Sequence, residues 1–365
     1  GEFRTTPFTA YIRGSSHVAS DAAGNFVVVW DESAYDDPNP AADTDGLRIM
    51  ARRFNASGGG VGVPFQVNTF STGDQYTPKV AFDGAGNFVV VWAYYDDFAA
   101  ILAGQKYSSS GAPVGGQFQV NTDTSCCVGY NGFENPGIFD DIDIAGDAAG
   151  NFVVAWKGPS PGGDYDIVAR IFDGSGSVTG AFVVNSATTY RAAYPAVASD
   201  HQGNFIIAWA LGYPGIRVYA RRYTSTGTPI GGEFQVSSDS DDVATDRPSI
   251  AADAAGRFVI VWRERAGGFD TDTVMGREFD STGAPVGSPF RIDEPAAEGY
   301  SDNYIMRAPE VGASAAGEFV VVWGQYGAYR YGDYSSRDPG VVGRTLGQRA
   351  APCSPTPLAD CRETT

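Results

Sequence analysis

A chain of 365 residues with 43 Asp and Glu against 25 Lys and Arg carries a formal net charge of −18 and repels nucleic-acid backbones and anionic membrane surfaces. Its 47 Gly, 21 Pro, 22 Phe and 19 Tyr, with only three Met, favour strands and turns over helices. The longest apolar runs are of the Phe-Val-Val-Val-Trp kind, far short of the roughly 20 residues that a membrane-spanning helix needs.

The chain opens on Gly1-Glu2-Phe3-Arg4, which reads like Gly232-Glu233-Phe234-Gln235, an outer strand with no strands before it. Six times thereafter come a Gly, a variable residue, an aromatic, three aliphatics and a Trp. These are Gly24 to Trp30, Gly86 to Trp92, Gly150 to Trp156, Gly203 to Trp209, Gly256 to Trp262 and Gly317 to Trp323, and they use every tryptophan. The Trp spacings of 62, 64, 53, 53 and 61 suit propeller blades better than solenoid turns.

Each unit divides into four strand-like runs. In the second, Lys79-Val80-Ala81 passes through Asp83-Gly84-Ala85-Gly86 into Phe88 to Trp92, then Ile101 to Tyr107, then Phe118 to Asn121. The third run recurs as Ile49 to Phe54, Ile167 to Phe172 and Val218 to Tyr223. The fourth recurs as Phe65 to Asn68, Phe182 to Asn185, Phe234 to Val236 and Phe290 to Ile292. The sixth unit has a third run at Val341 to Arg344 and nothing after it. The pattern therefore predicts an all-β, six-bladed β-propeller over residues 1–349, built of four-stranded antiparallel blades, with the N-terminal strand completing the last blade and removing an open edge.

Residues 350–365 form a Pro-rich tail that reads as a linker into a further module. Cys353 and Cys361 bracket it at a spacing a disulfide closes easily, and Cys126 and Cys127 are adjacent in a polar loop. Four cysteines allow three pairings; 353 with 361 and 126 with 127 is the expected one, although neighbouring Cα atoms about 3.8 Å apart strain a vicinal bridge. The cysteines favour an extracellular, secreted or cell-surface setting, as a monomer or as part of a longer chain.

The motif series Gly-x-Phe-Val-Val-x-Trp, Ala-Arg-Arg-Phe and Phe-x-Val-Asn resembles the repeats of bacterial secreted and cell-surface propellers, loosely similar to integrin-α repeats. That resemblance spans almost the whole chain and implies the fold, but it says little of chemistry. The Asp21, Gly24, Trp30 hairpin also resembles the Asp-box of sialidases, which is a structural turn away from the active site.

Strand order decides where function can sit. Connections from first to second and from third to fourth strand are tight and repetitive; those from second to third and from blade to blade are long and dissimilar, and emerge on the opposite face. Long, variable loops on a rigid scaffold mark that second face as the working one. Its loops carry the pairs Asp43 and Asp45, Asp164 and Asp166, Asp270 and Asp272, which are oxygen ligands suited to Ca²⁺ or, equally, solvated acidic turns. Arg13, Arg191, Arg247 and Arg307 approach the axis with Tyr76, Tyr130, Phe133, Tyr194, Tyr300 and Tyr304, a combination that holds a glycan or small polar ligand by stacking and forked hydrogen bonds. The competing reading pairs these arginines with acids such as Asp246, Glu294 and Asp302. One repeat position on the innermost strand reads His17, Lys79, Asp143, Ala196, Ser249, Glu310, a mixed-sign ring expected to line a water-filled funnel held by ion pairs.

Only two histidines occur, His17 on an inner strand and His201 in a tight turn on the opposite face, so neither a His₃ zinc site nor a Ser-His-Asp triad is expected. No phosphate loop or dinucleotide fingerprint is present. The leading expectation is a recognition module that binds a glycan through the long-loop face. The alternatives are a carbohydrate-active hydrolase or lyase with an axial-cleft site, and a spacer of a multimodular surface protein.

Overall fold

The computed structural model describes residues 12–33, 46–70, 73–96, 99–122, 141–159, 165–173, 176–177, 179–186, 191–200, 203–212, 216–238, 243–266, 272–293, 304–305, 308–314, 317–326 and 339–346. They form six four-stranded antiparallel sheets, the blades of a propeller, and no helix among them is long and apolar enough to cross a membrane. Blade 1 runs Ile12–Ser20, Phe26–Ser33, Leu47–Phe54, Gly60–Gln66 from inner to outer strand. Blade 2 follows as Gln75–Phe82, Phe88–Asp96, Ala99–Tyr107, Pro113–Gln119. Blade 3 is Ile142–Gly146, Phe152–Pro159, Tyr165–Asp173 and an outer edge broken into Gly176–Ser177 and Phe182–Val183. Blade 4 is Ala192–Ser199, Phe205–Leu211, Arg217–Tyr223, Pro229–Gln235. Blade 5 is Val243–Ala252, Phe258–Ala266, Asp272–Phe279, Phe290–Arg291. In blade 6 the inner strand is split into Tyr304–Ile305 and Glu310–Ala313, both paired with Phe319–Tyr326, which in turn pairs with Pro339–Leu346.

The first turn of each blade explains the repeated Asp and Gly. Asp83 Oδ1 accepts the backbone N–H groups of Ala85 and Asn87, Oδ2 accepts the Asn87 side chain at 2.8 Å, and Gly86 supplies the φ of 77° that closes the turn. The same bonds recur at Asp21 and Asp147. The outer strands carry a second device: Asn68, Asn121 and Asn185 accept the N–H of Ile49, Leu102 and Ile167 at 2.7–2.9 Å, with Ser237 and Asp293 in the same role.

Alternation along the second strands sends residues to both faces of each blade, so the core lies between blades. Five such interfaces are filled by separate clusters of buried residues. All six tryptophans are buried, none more than 4% exposed. At about 25 cal/mol per Å² and roughly 200 Å² a ring, each contributes on the order of 5 kcal/mol of burial before entropy is charged. Each outer-strand aromatic leans on the next blade: Phe65 on Tyr107, Phe118 on Phe172, Phe182 on Tyr223 and Phe234 on Phe279, with ring centroids 5.3–5.4 Å apart. Between blades 6 and 1 no such cluster forms among the described residues, and Val18, Val320 and Val322 are exposed there. The N-terminal strand expected to complete blade 6, the tail and all four cysteines lie outside the described residues.

Candidate functional site

The inner strands enclose an axial cavity of about 900 Å³, lined by five of the six residues expected of the mixed-sign ring, His17, Lys79, Asp143, Ser249 and Glu310. Their polar atoms are spent on the scaffold. Val80 N–H donates to His17 Nδ1 at 3.3 Å, Val197 N–H to Asp143 Oδ2 at 2.8 Å and Val311 N–H to Ser249 Oγ at 3.1 Å, each bond tying one blade to the next. Ser249 Oγ donates to Glu310 Oε2 at 3.0 Å, and Lys79 Nζ lies 4.0 Å from Asp143. Burial and then the Lys79 charge hold the His17 pKa well below its usual value, and burial raises that of Asp143 against the pull of Lys79. The ring is a structural seam around a funnel.

Two residues nearer the long-loop face, the same repeat column reads Ser15, Thr77, Asp141, Tyr194, Arg247 and Ala308. The inner strands of blades 2, 4 and 5 bulge there, between Tyr76 and Lys79, Ala193 and Ala196, and Asp246 and Ser249. Proline explains the break in the ladder, because Pro78, Pro195 and Pro248 follow the column residue and have no N–H to donate. At the same positions Thr77, Tyr194 and Arg247 take φ values of 49°, 56° and 50°, the only non-glycine positive values among the described residues. A side chain held in that region costs on the order of 1–3 kcal/mol.

At the mouth three blades converge. Tyr194 N–H donates to Asp141 Oδ1 at 3.1 Å, Lys157 Nζ lies 3.3 Å from Asp141 Oδ2, and the Arg247 guanidinium carbon sits 4.6 Å from the centroid of the Tyr194 ring. Lys157 Nζ also lies 4.6 Å from the centroid of Tyr165. Asp141 is 1% exposed. Burial pushes its pKa up to about 6, against the opposing pull of the Lys157 charge and hydrogen bond, the Tyr194 N–H and the Arg247 charge. The mouth therefore holds an acid that is part-protonated near neutrality, two cations and two aromatic rings.

Of the residues expected on the working face, Tyr194 and Arg247 meet here. The exposed Arg191 stands at the start of the same inner strand of blade 4, and its carbonyl accepts Gly212 N–H at 3.4 Å. Tyr76 packs against the core between blades 2 and 3, and its hydroxyl donates to Asp74 at 2.7 Å. The backbones of Arg13 and Tyr304 are in strands, but their side chains lie outside the description, as do Tyr130, Phe133, Tyr300 and Arg307 altogether. Asp166 is buried, with Oδ1 accepting Asn185 Nδ2 and Oδ2 without a hydrogen-bond partner. Asp272 is buried and held by Arg265 at 2.9 Å and Arg263 at 3.9 Å. Asp43, Asp45, Asp164 and Asp270 fall outside the described residues, among which no group of three or more metal-ligating side chains occurs.

Asp141, Lys157 and Tyr165 escaped sequence reasoning. The signal was available for Asp141 alone, through its place in the repeat column shared with Tyr194 and Arg247.

No protein-family model matches the sequence, and no curated protein matches it. The structure is similar to a protein of unknown function from Dyadobacter fermentans, with a TM-score of 0.55 and 8% identity over 94% of this chain and 96% of that one. It is similar to the Hadza microbial sialidase Hz136, with a TM-score of 0.51 and 10% identity over 88% and 66% of the two chains. It is also similar to an α-L-arabinanase of Penicillium chrysogenum solved with arabinobiose, with a TM-score of 0.50 and 12% identity over 92% and 93%. At such identities these likenesses establish the propeller fold and nothing finer.

Proposed function

We propose that this protein is an exported recognition module that binds a glycan at the mouth of its axial channel. The observation that carries the reading is the placement of Tyr194 and Arg247, stacked 4.6 Å apart on strained backbone, two residues from the channel-lining ring toward the long-loop end of the inner strands. Strain of this kind persists where the surroundings over-determine it, and an aromatic ring beside a guanidinium offers both a stacking surface and a hydrogen-bonding fork for a sugar. That the fold also serves a sialidase and an arabinanase is compatible with a carbohydrate ligand. A glycan array probed with the full chain, with and without Ca²⁺, should return binders that Tyr194→Leu abolishes; an array blank under both conditions refutes the proposal.

The part proposed for Ca²⁺ is confined to the Asp164 and Asp166 pair. Asp166 and Asp272 each keep one buried carboxylate oxygen without a hydrogen-bond partner, but Asp272 faces Arg265 at 2.9 Å and Arg263 at 3.9 Å, and those charges oppose a bound cation. A rise in melting temperature with Ca²⁺ that Asp166→Asn removes is the expected result.

A second reading, a hydrolase or lyase, is favoured by one feature, the buried Asp141 carboxyl with a pKa of about 6, which suits a proton donor at neutral pH. Turnover of polysaccharides that disappears in Asp141→Asn would promote it over simple binding.

A further inference from the structure

Several described arginines near the blade interfaces have acceptors, although Arg221 is recorded mainly against the Tyr223 ring. Arg170, Arg277 and Arg344 donate to carbonyls of the preceding blade's outer segment, at Val120, Val236 and Ile292. Arg222 donates to Ser281 and Thr282, and Arg48 grips Glu32 at 2.7 Å. Arg247 differs. Among the described residues its guanidinium donates no hydrogen bond and forms no ion pair, and its recorded neighbours are the Tyr194 ring and, at longer range, the Asp141 charge. It is half-buried, and none of its nitrogens is among the buried atoms that lack a partner.

Among the described residues the Arg247 guanidinium reaches only the Tyr194 ring of the preceding blade, and its backbone is held at a φ of 50°. Contact with Tyr194 restricts the guanidinium while leaving its N–H edges open to a planar anion. The local charge sets which anion. Lys157 and Asp141, 3.3 Å apart, cancel each other when Asp141 is ionised, so the described mouth carries one uncompensated positive charge. That balance suits a single carboxylate better than a phosphate dianion, whose second charge would face Asp141 unpaired.

We infer that Arg247 is the anchor for the carboxylate of an acidic sugar, a uronate residue of a glycan, gripped by the guanidinium fork beside the Tyr194 ring. The inference rests on the glycan reading above and names the class of sugar.

The test is calorimetric titration of the full chain with uronate trimers of galacturonate and glucuronate, with their carboxyl-reduced counterparts, and with acetate. An acidic trimer should bind about tenfold or more tightly than its reduced counterpart, the strength expected of a charge-assisted, two-pronged pair. Arg247→Gln should erase that difference, so that the variant binds the acidic and the reduced trimer equally. Arg247→Lys, which keeps the charge and loses the fork, should retain only part of it, and melting curves of both variants show that the ring still folds. Equal binding of acidic and reduced trimers overturns the carboxylate anchor and spares the glycan reading. Binding of neither overturns both. Acetate binding as tightly as an acidic trimer overturns the sugar, leaving a simple anion site.

Discussion

The backbone N–H of Tyr194 donates to Oδ1 of Asp141 at 3.1 Å, joining blade 4 to blade 3 at the channel mouth. The bond, the Lys157 ammonium and the Arg247 charge favour the ionised carboxyl, yet burial outweighs them and leaves the pKa at about 6. Carboxyl NMR should therefore show Asp141 titrating near pH 6. Lys157→Met should move the midpoint higher, because it removes the strongest opposing influence. A downward move would mean that Lys157 does not act on this group.

His17 and Asp141 should influence acid stability in opposite directions. His17, with a folded pKa below its unfolded value of 6.5, contributes stability that is present above that pH and lost as pH falls toward the folded value. Asp141, raised from 3.8 to about 6, makes folding more favourable as pH falls through that interval. His17→Gln should thus flatten the loss of melting temperature between pH 7 and 5, and Asp141→Asn should steepen it. Identical pH profiles for the wild type and both variants would contradict the assignment.

Gly84 and Gly116 separate a packed glycine from a merely present one. A Cβ at Gly84 would fall 2.6 Å from the carbonyl oxygen and 2.9 Å from the Cα of Ala148 in the next blade, whereas at Gly116 nothing lies within 4 Å. Gly84→Ala should cost about 1–3 kcal/mol as two backbones are forced apart. Gly116→Ala should change stability by less than about 0.5 kcal/mol in chemical denaturation. Equal losses would place the inter-blade contact elsewhere.

The outer strand expected in blade 6, which lies outside the described residues, has a specific predicted register. In blades 1 to 5 the outer-strand Phe lies opposite a small residue of the third strand, as Phe65 opposite Ala51 and Phe118 opposite Gly104, where the ring fills the space of the absent side chain. Gly343 holds that position in blade 6, facing Val322, and no ring lies over it among the described residues. Phe3 is expected there, leaning on the stacked rings of Phe26 and Phe54, with Thr6 capping the N–H of Val341 as Ser237 caps that of Val218. Phe3→Ala and Gly343→Val should each lower the melting temperature by several degrees, and the double variant should lose little more than either alone. Full additivity would separate the two sites.

The six blades were legible in the sequence because each rests on local chemistry. The Asp-Gly turn, the aliphatic second strand ending in Trp and the Phe-x-Val-Asn outer strand are each written within a few residues, and repetition multiplies the signal. The funnel ring was legible for the same reason, as one column of the repeat. What the ring's residues do was not, because the N–H that His17 accepts belongs to Val80, 63 positions on. The mouth was decided by tertiary structure alone. Asp141 and Tyr194 are 53 residues apart and meet only because successive blades bring the same repeat position of their inner strands together. The rise in the Asp141 pKa depends on burial by neighbouring blades, and the contact of Arg247 with the Tyr194 ring depends on the placing of blade 5 beside blade 4. Neither property belongs to any stretch of sequence, since both are sums over neighbours that folding supplies.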